Sequence, residues 1–431
     1  MNKKELNSKV KEIQNLYSKD DKPWIIGYSG GKDSTCVLQL VYQSIKALPK
    51  DKRHKDIWVI CGDTLVEIPT VVARIEDTLD NINAQAKIDE LPMQALKVYP
   101  EVNKSFFVNL IGRGYPSPTR TFRWCTERLK IDPASEFIKS KVSKHGEVII
   151  LLGARKKESM SRAQTLKKYE IKNSILRKHT SLPSAFVYAP IEEWDLNDVW
   201  TYLSTFPSPW NDDNQELVML YQKAGGDECP LVIDTSTPSC GNSRFGCWVC
   251  TVVEQDKSIK GFISNGEAWL QPMADFRDMI LSMREEREKY RRKDDSRIGG
   301  YGPFRRKARR KILRRLFQVE KDMFDTYKTR LIRTEELLSI QKLWESEGEP
   351  KDAVKKIWNA VYGKIDKKPI GDIDEALELA RFCEEHDVPL NMLTNMVIEV
   401  DDFSKYARRR NIYIRLKEKL DKQLNNFDAI S

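Results

Sequence analysis

Long hydrophobic runs are missing from this sequence. The longest apolar run near its middle, from Val148 to Leu152, has the length of one β-strand. A membrane-spanning helix needs roughly 20 consecutive apolar residues. The opening residues, MNKKELNSKV, also lack the apolar region of a signal peptide. These absences predict a cytoplasmic protein that has no contact with a membrane.

Histidine is scarce as well. The chain has four histidines, which are His54, His145, His179 and His386. They fit no catalytic pattern, so we expect them all at the surface and predict no acid–base chemistry that depends on histidine. The rest of the composition excludes fewer classes of protein. Hydrophobic residues make up 40% of the chain, enough for a sizeable core, and the net charge of +9 is compatible with a polyanionic partner without demonstrating one.

Apolar segments alternate with amphipathic ones over the first half of the chain. The apolar segments predict strands at 24–28, 57–64, 95–100, 147–155 and 186–191. Helical periodicity predicts helices at 6–17, 35–48, 67–86, 131–144 and 195–206. Strands that alternate with helices predict an α/β fold, with a parallel sheet covered by helices on both faces. Ligands of such sheets bind beyond the carboxyl ends of the strands.

The composition changes twice along the chain, which predicts three regions. Residues 1–224 carry the α/β pattern. Residues 225–275 begin with a loop-rich stretch of Gly, Pro and Ser that also holds four cysteines. Residues 276–431 show charged helical patterns with few strand signals, and we expect them to bind DNA or a partner protein.

The stretch YSGGKDST, residues 28–35, follows the first predicted strand. Two adjacent glycines let the backbone turn tightly and present N–H groups beside a helix N-terminus, which suits an anion. An ordinary strand–helix turn is the alternative, but the neighbouring hydroxyls and Lys32 favour a phosphate site. The stretch is not a Walker A loop, because Asp33 rather than Ser or Thr follows the lysine.

The segment SGGKDS, residues 29–34, resembles the PP-loop of ATP pyrophosphatases, which cleave ATP between its α- and β-phosphates and leave an adenylated intermediate. GARKKES (153–159) and GDTLVEIP (62–69) resemble the arginine motif and the acidic turn of the phosphoadenosine phosphosulfate (PAPS) reductase branch. The resemblance implies an adenine nucleotide α-hydrolase-like fold. It implies an ATP site formed by Ser29, Gly30, Gly31, Lys32, Asp33, Ser34, Asp63, Gly153 and Arg155.

Within that implied site, Lys32, Asp33 and Arg155 are the expected catalytic residues. The Arg155 guanidinium suits phosphate oxygens because its donors form a planar fork. Asp63 and Glu67 are candidates to bind Mg²⁺, ribose or substrate. The alternative for both carboxylates is to cap the helix that follows, and for Glu67 the two interpretations have equal support.

Eight cysteines need an explanation other than disulfides, which are rare in the cytoplasm. Cys36, Cys61 and Cys383 lie in apolar patterns and are predicted to pack in the core. Four others lie within 22 residues of predicted loop and are Cys229, Cys240, Cys247 and Cys250. Cys125 stands apart, after the third predicted strand. Thiolates at this density select zinc or an iron–sulfur cluster.

The spacing favours the cluster over zinc. Compact zinc sites usually have two C-x-x-C pairs, and here only one is present, with irregular spacing of the kind seen in iron–sulfur proteins. The family resemblance also pairs a C-x-x-C with a cysteine at the position of Cys125. We predict a [4Fe-4S] cluster held by Cys125, Cys240, Cys247 and Cys250, with Cys229 as the alternative fourth ligand. The remaining cysteine is either a persulfide carrier or a bystander.

The run RFGCWVCTVVEQDKS, residues 244–258, together with the two nucleotide-site motifs, resembles the sulfurtransferases of bacterial DNA phosphorothioation. The resemblance covers residues 20 to about 320. It implies a bacterial cytoplasmic enzyme that adenylates a DNA backbone phosphate and replaces one of its oxygens with sulfur. The implied partners are DNA, a cysteine desulfurase that donates sulfur and the cluster, and other subunits of the phosphorothioation complex.

One segment favours DNA independently of the resemblance. RRKARRKILRR, residues 305–315, has eight Lys or Arg in eleven positions. On a helix these side chains would surround much of the cylinder, which is more than a solvated face needs. We expect the segment to contact phosphates, with plain solvent exposure as the alternative.

Three other functions stay open. A PAPS or APS reductase is expected to carry a redox cysteine near its C-terminus, whereas the last cysteine here is Cys383. A tRNA-thiolating PP-loop enzyme shares the ATP loop. An ATP-gated DNA-binding subunit with a structural cluster is the alternative that is not an enzyme.

Overall fold

The computed structural model of the chain describes residues 3–224, 246–294, 300–323 and 330–363. The strands of its main sheet are β1 Trp24–Tyr28, β2 Ile57–Gly62, β3 Met93–Val98, β4 Val148–Leu151, β5 Arg177–Lys178 and β6 Ala185–Tyr188. Their order across the sheet is β3–β2–β1–β4–β6–β5, and every neighbouring pair is parallel except β5 with β6. The predicted parallel α/β fold is confirmed.

Helices connect the strands. They are α1 Lys3–Ser18, α2 Lys32–Lys46, α3 Pro69–Ile88, α4 Trp124–Thr126, α5 Asp132–His145, α6 Met160–Lys168, α7 Leu196–Thr205 and α8 Asn214–Ala224. Helix α2 begins at Lys32, earlier than predicted, because its N-cap is the second glycine of the loop, Gly31. Helix α3 begins at Pro69, whose fixed φ suits the first helical position.

Both faces of the sheet are buried. Alternate residues of β1 belong to two apolar clusters, because successive side chains of a strand point to opposite faces. Trp24 and Ile26 lie in the larger cluster, which includes residues of α1, α2 and α3. Ile25 lies in the smaller cluster with Ala134 and Ile138 of α5. This arrangement agrees with the prediction of helices on both sides.

The chain after the cysteine pair is mostly helical. Its elements are α9 Lys257–Ser264, α10 Gln271–Glu285, α11 Arg287–Tyr290, β7 Arg291–Asp294, β8 Gly300–Phe304, α12 Arg306–Met323, α13 Thr334–Ser346 and α14 Ala353–Tyr362. The antiparallel hairpin of β7 and β8 was not predicted, since its sequence is charged and glycine-rich. Trp248 joins this part to the sheet core, with its ring 6.2 Å from that of Phe107 and 5.5 Å from that of Phe276.

Two groups of residues test the predictions about burial. Cys36 and Cys61 are fully buried, as predicted, and burial raises the pKa of both thiols. The prediction that every histidine lies at the surface is wrong for His179, which is buried because its Nδ1 accepts hydrogen bonds from the backbone N–H groups of Ser181 and Leu182. The described helices include none that is long and apolar enough to span a membrane. Cys383 and His386 lie outside the described residues.

Candidate nucleotide and thiol site

The order of the strands creates one switch point in the sheet. The chain passes from β1 to β2 and β3 on one side and then continues in β4, which pairs with the other side of β1. Connections that leave neighbouring strands in opposite directions open a crevice at their carboxyl ends, where ligands of such sheets bind. The glycine loop after β1 and the residues that follow β4, Gly153 to Arg155, both lie at this crevice.

The glycine loop, residues 29–31, forms a tight turn into α2. Gly30 has φ of +71°, a left-handed conformation that glycine adopts without strain. Ser34 Oγ donates to the carbonyl of Gly31 and accepts from the backbone N–H of Ser29, at 3.0 and 3.2 Å. These bonds fold the loop over the first turn of α2, so that a helix N-terminus faces the crevice, the arrangement that favours phosphate.

Three buried charged side chains converge behind the loop. Lys32 Nζ lies 3.0 Å from one carboxylate oxygen of Asp33, and Arg155 Nε lies 2.5 Å from the other. Their exposed fractions are 7%, 4% and 4%, for Lys32, Asp33 and Arg155. A second carboxyl group, that of Glu158, is also close enough to interact electrostatically with all three side chains. The ammonium and guanidinium groups are of the kind that form charge-assisted hydrogen bonds with phosphate.

Gly153 allows β4 and α2 to meet. A Cβ atom at this position would lie 2.8 Å from the carbonyl carbon of Asp33 and 2.9 Å from the nitrogen of Ser34. Such contacts are closer than real Cβ atoms tolerate. The glycine that opens the arginine motif is therefore needed for the close approach of two backbones, and it brings Arg155 to Asp33.

Tyr221 of α8 also reaches the loop. Its hydroxyl accepts a hydrogen bond of 3.0 Å from the backbone N–H of Lys32, and its ring lies 5.5 Å from Lys32 Nζ. No sequence motif indicates this role, because Tyr221 lies in an amphipathic helix far along the chain and its ring is otherwise a normal core residue. Only the packing of α8 brings it to the glycine loop.

Asp63 begins the acidic turn after β2. One of its oxygens accepts from Leu65 N–H at 2.8 Å, and the other lies 3.0 Å from Lys97 Nζ. Burial opposes the charge on Lys97, but Asp63 and Glu76 outweigh it and raise the pKa of that ammonium. Asp63 therefore has a cationic partner from β3. The sequence around Asp63 does not indicate this partner.

Glu67 lies half-buried in the same turn. It accepts hydrogen bonds from the backbone N–H and the hydroxyl of Thr64, at 3.0 and 2.5 Å. Burial and the nearby charge of Asp63 raise its pKa to about 7. Helix α3 has no side-chain cap, since its N-cap is Ile68. The capping interpretation is thus wrong for both carboxylates.

The C-x-x-C pair is attached to this acidic turn. Glu67 and Cys247 form an isolated backbone bridge, and Trp248 N–H donates to the carbonyl of Val66 at 2.9 Å. Thr64 Oγ1 lies 3.3 Å from Cys247 Sγ. Because β2 is parallel to β1 and pairs with it, the turn that holds Cys247 lies at the same edge of the sheet as the glycine loop.

Cys125 lies on a segment that packs against the pair. Thr251, next to Cys250, donates to the carbonyl of Pro118 at 2.8 Å, and Arg284 bonds the carbonyls of both Pro118 and Thr251. Cys125, Cys247 and Cys250 are all half-buried.

Of the four cysteines predicted to hold the cluster, the structure describes three, which are Cys125, Cys247 and Cys250. In the part of the chain that the structure describes, no three His, Cys, Asp or Glu side chains are grouped closely enough to hold a metal ion. Cys229 and Cys240 lie outside the described residues. The described thiols have the donor chemistry that an iron–sulfur cluster or zinc needs, but the ligand set stays a prediction.

The fold and the glycine loop at the switch point define a nucleotide-binding α/β protein of the PP-loop class. Residues 23–253, just over half of the chain, match the phosphoadenosine phosphosulfate reductase domain, and the chain belongs to that family.

Two curated relatives come from Methanocaldococcus jannaschii. The uncharacterized protein MJ0066 is 29% identical over 248 residues, which are 58% of this chain and 40% of that protein. The uncharacterized protein MJ0973 is 27% identical over 223 residues, which are 52% of this chain and 40% of that protein. The matches thus span less than half the length of these relatives.

Two solved structures are similar at low levels. One is the phosphoadenylyl-sulfate reductase of Candida auris in complex with phosphate, with 14% identity, a TM-score of 0.31, and coverage of 51% of this chain and 92% of that one. The other is the U34-tRNA thiolase NcsA of Methanococcus maripaludis with its [4Fe-4S] cluster, with 13% identity, a TM-score of 0.27, and coverage of 69% and 84%. Neither likeness bears on function at these scores.

Proposed function

We propose that the protein is an ATP-dependent sulfurtransferase of DNA phosphorothioation, of the DndC type. The observation that carries the proposal is that a candidate phosphate-binding loop and a cysteine thiol lie at the carboxyl ends of neighbouring strands. A PP-loop with the Lys32–Asp33–Arg155 cluster lies at the end of β1, and the Cys247 thiol lies against the turn at the end of neighbouring β2. The choice of DNA as the acceptor rests on the sequence resemblance.

The proposed reaction has two transfers. A nonbridging oxygen of a DNA phosphate attacks the α-phosphorus of ATP, and pyrophosphate leaves. A persulfide sulfur then attacks the DNA phosphorus, and AMP leaves with the activated oxygen. This attack forms a sulfur–phosphorus bond. The persulfide's own sulfur–sulfur bond is then cleaved by two electrons from two thiols, which become a disulfide, and this leaves sulfur on the DNA phosphate and restores the carrier thiol.

The chain's own groups fit the first transfer. The loop N–H groups and the α2 N-terminus would hold the polyphosphate, and Lys32 and Arg155 would balance the charge that develops as pyrophosphate leaves. Asp33 fixes both cations in place through its two oxygens. Asp63 is the carboxylate proposed for Mg²⁺, and that role requires it to exchange or share its contact with Lys97.

The thiols fit the second transfer. Cys125, Cys240, Cys247 and Cys250 would hold the [4Fe-4S] cluster, with Cys229 as the alternative fourth ligand. Such a cluster supplies a redox-active centre with affinity for sulfur. Glu67 and Thr64 position the backbone and the thiol of Cys247. A cysteine desulfurase is the proposed source of the persulfide, with other phosphorothioation subunits as further partners.

The test supplies anaerobic protein with ATP, a persulfide donor and either duplex DNA or tRNA. We expect pyrophosphate, AMP and a phosphorothioate dinucleotide after digestion of the DNA. Lys32→Ala should abolish these products, and the matched control Lys19→Ala should not. A sulfur-bearing base from tRNA would instead identify a tRNA thiolase, sulfite from PAPS would identify a reductase, and DNA binding without pyrophosphate would identify a binding subunit.

Metal content tests the cluster separately. We expect about four iron and four sulfide per chain in anaerobically purified protein, with broad absorption in the visible blue. Cys247→Ser should remove most of both, whereas the core variant Cys36→Ser should leave the iron and sulfide content of the folded protein unchanged. Colourless anaerobic protein that contains stoichiometric zinc would contradict the cluster.

A further inference from the structure

A basic groove lies between α12 and α14, and it shares no residue with the nucleotide site. Its volume is about 820 Å³, and Tyr290 lies at one side of it. The cations that line this basic groove are Lys289, Arg305, Lys307, Arg310, Lys311, Arg314 and Lys356. No carboxylate is among the lining residues of the described chain.

Helix α12 divides its residues into two faces. Ile312, Leu313 and Leu316 are fully buried against the core. Lys307, Arg310, Lys311 and Arg314 are exposed and follow the spacing i, i+3, i+4 and i+7. The apolar face is sufficient to hold the helix, so the exposed cations are not needed for folding. Of the basic side chains expected to surround much of this helix, the exposed ones lie on the face opposite the apolar residues.

Arg309 is the exception among the basic residues of α12. It is 1% exposed, and its guanidinium bonds the carbonyl of Gly112 and the carboxylate of Glu347. Its role is to join α12 to the rest of the fold. The segment thus contains one structural arginine and a separate row of cations that faces the basic groove.

The groove carries more cations than its neighbours neutralise. Lys289 pairs with Glu286, Arg310 with Glu349, and Lys356 with Asp352. The remaining groove cations form no ion pair with a carboxylate within the described residues, and they are Arg305, Lys307, Lys311 and Arg314. Seven cations less three pairs leave four positive charges in a concave surface. A concave surface of one sign concentrates its field and attracts a polyanion.

The geometry of the row suits a repeating anion. At 1.5 Å per residue, Lys307 and Arg314 are about 10 Å apart along the helix axis. Duplex DNA carries about six phosphates over that length. Tyr290 adds a hydroxyl that accepts from Lys311 at 3.3 Å, and its ring lies 4.8 Å from Lys289 Nζ. Hydrogen bonding from Lys289 lowers the pKa of Tyr290, which agrees with a positive local field.

We propose that this basic groove binds the sugar–phosphate backbone of duplex DNA and holds it on the protein independently of ATP. The choice of DNA among nucleic acids rests on the proposed function. The charge excess, the regular spacing and the concave shape rest on the structure alone. A uniform row of cations recognises the backbone and not the base sequence, so the groove supplies affinity without selecting a site.

The experiment measures the binding of a fluorescein-labelled 24-base-pair duplex by anisotropy at several salt concentrations. The double variant Lys307→Glu, Arg314→Glu is compared with Lys139→Glu, Lys144→Glu on α5, which makes the same change in net charge. We expect the groove variant to lose at least about tenfold in affinity, and its slope of log K against log salt to fall by about 1.8, for two lost phosphate contacts. The α5 variant should retain most of the affinity and the full slope.

Several results would overturn the groove proposal. These are equal losses in the two variants, an unchanged salt slope, no binding of duplex by the parent protein, or groove-dependent binding that is tighter for single-stranded RNA or heparin than for duplex DNA. Thermal unfolding confirms that each variant is folded, and ATP binding by each should equal that of the parent. If DNA binding depends on the groove but no sulfur is transferred, the proposed function fails and the groove assignment stands.

Discussion

Two buried arginines in this protein hold carboxylates in similar ways but in different surroundings. Arg155 is 4% exposed and pairs with Asp33, and Arg309 is 1% exposed and pairs with Glu347. Arg155 follows a parallel strand at the sheet's switch point, beside glycines and a helix N-terminus. Arg309 lies within a helix and closes the contact between α12 and the segment after α13.

The difference shows that burial and pairing alone do not identify a functional arginine. At Arg155 two cations share one carboxylate at the carboxyl end of the parallel strands, where ligands of such sheets bind. At Arg309 the same guanidinium also bonds the carbonyl of Gly112, and every contact is within the fold. Position relative to the strand ends, and not burial or pairing, distinguishes the arginine proposed to bind a ligand from the structural one.

Removing the shared carboxylate should have the largest effect. Asp33→Asn leaves Lys32 and Arg155 without the anion that fixes them, and we expect pyrophosphate release to fall about 10²- to 10³-fold. The measurement is initial rate at saturating ATP, with the exposed Asp51→Asn as the control. Wild-type turnover in a folded Asp33→Asn protein would show that the cluster is structural, like that of Arg309.

The converse variant should affect stability and not nucleotide binding. Arg309→Met removes the bond to Gly112 and one partner of Glu347, which is 30% exposed and keeps Arg292 and Arg306, so we expect a cost of about 1–3 kcal/mol. Arg306→Met removes a half-exposed partner of Glu347 and should cost about 0–1 kcal/mol. Chemical denaturation measures both. Loss of ATP affinity with unchanged stability would contradict the assignment.

A smaller change tests the contact between β4 and α2. Gly153→Ala places a Cβ atom 2.8 Å from Asp33 and should cost about 1–3 kcal/mol in unfolding free energy. Because the strain falls on Asp33, ATP affinity should fall as well. Gly302→Ala is the control, since its Cβ would meet only one atom at 3.9 Å. Equal behaviour of the two variants would show that the strand and helix separate easily.

The smallest effect concerns a buried carboxyl in the helical part. Burial raises the pKa of Glu320, which accepts from Tyr362 and from Leu331 N–H. The folded state therefore binds more protons than the unfolded chain above pH 4.5, and the unfolding free energy falls as the pH rises from there through the raised pKa.

Glu320→Gln should flatten that dependence, because its side chain stays neutral. Asp322→Asn, on the same helix and half-exposed, should leave the slope as it is. Denaturation at a series of pH values measures the slopes. A slope unchanged in Glu320→Gln would mean that the carboxyl is ionised in the folded protein at every pH tested.

The sequence predicted the sheet well because its strands are short apolar runs between turns. The bounds of β1, from Trp24 to Tyr28, were predicted correctly, and the helix predicted at 195–206 is present as α7 Leu196–Thr205. The glycine loop and Arg155 were found through local patterns that depend on backbone geometry. These features are encoded by residues close in sequence.

The partners that come from distant segments were not predicted. Lys97 of the next strand pairs with Asp63, and Tyr221 of α8 contacts the glycine loop. Arg309 has the same residue type as its exposed basic neighbours, and only the tertiary structure shows that it is buried. Periodicity and local motifs carry no information on such pairings, since they depend on which elements pack together.

The Tyr221 hydroxyl occupies the Lys32 amide that a phosphate oxygen would need. In the proposed nucleotide site, a phosphate oxygen and this phenol would compete for one hydrogen, so binding would require the Tyr221 hydroxyl to leave the amide. The proposed nucleotide would therefore be sensed by one aromatic side chain, whose change of partner is a built-in reporter of occupancy of the loop.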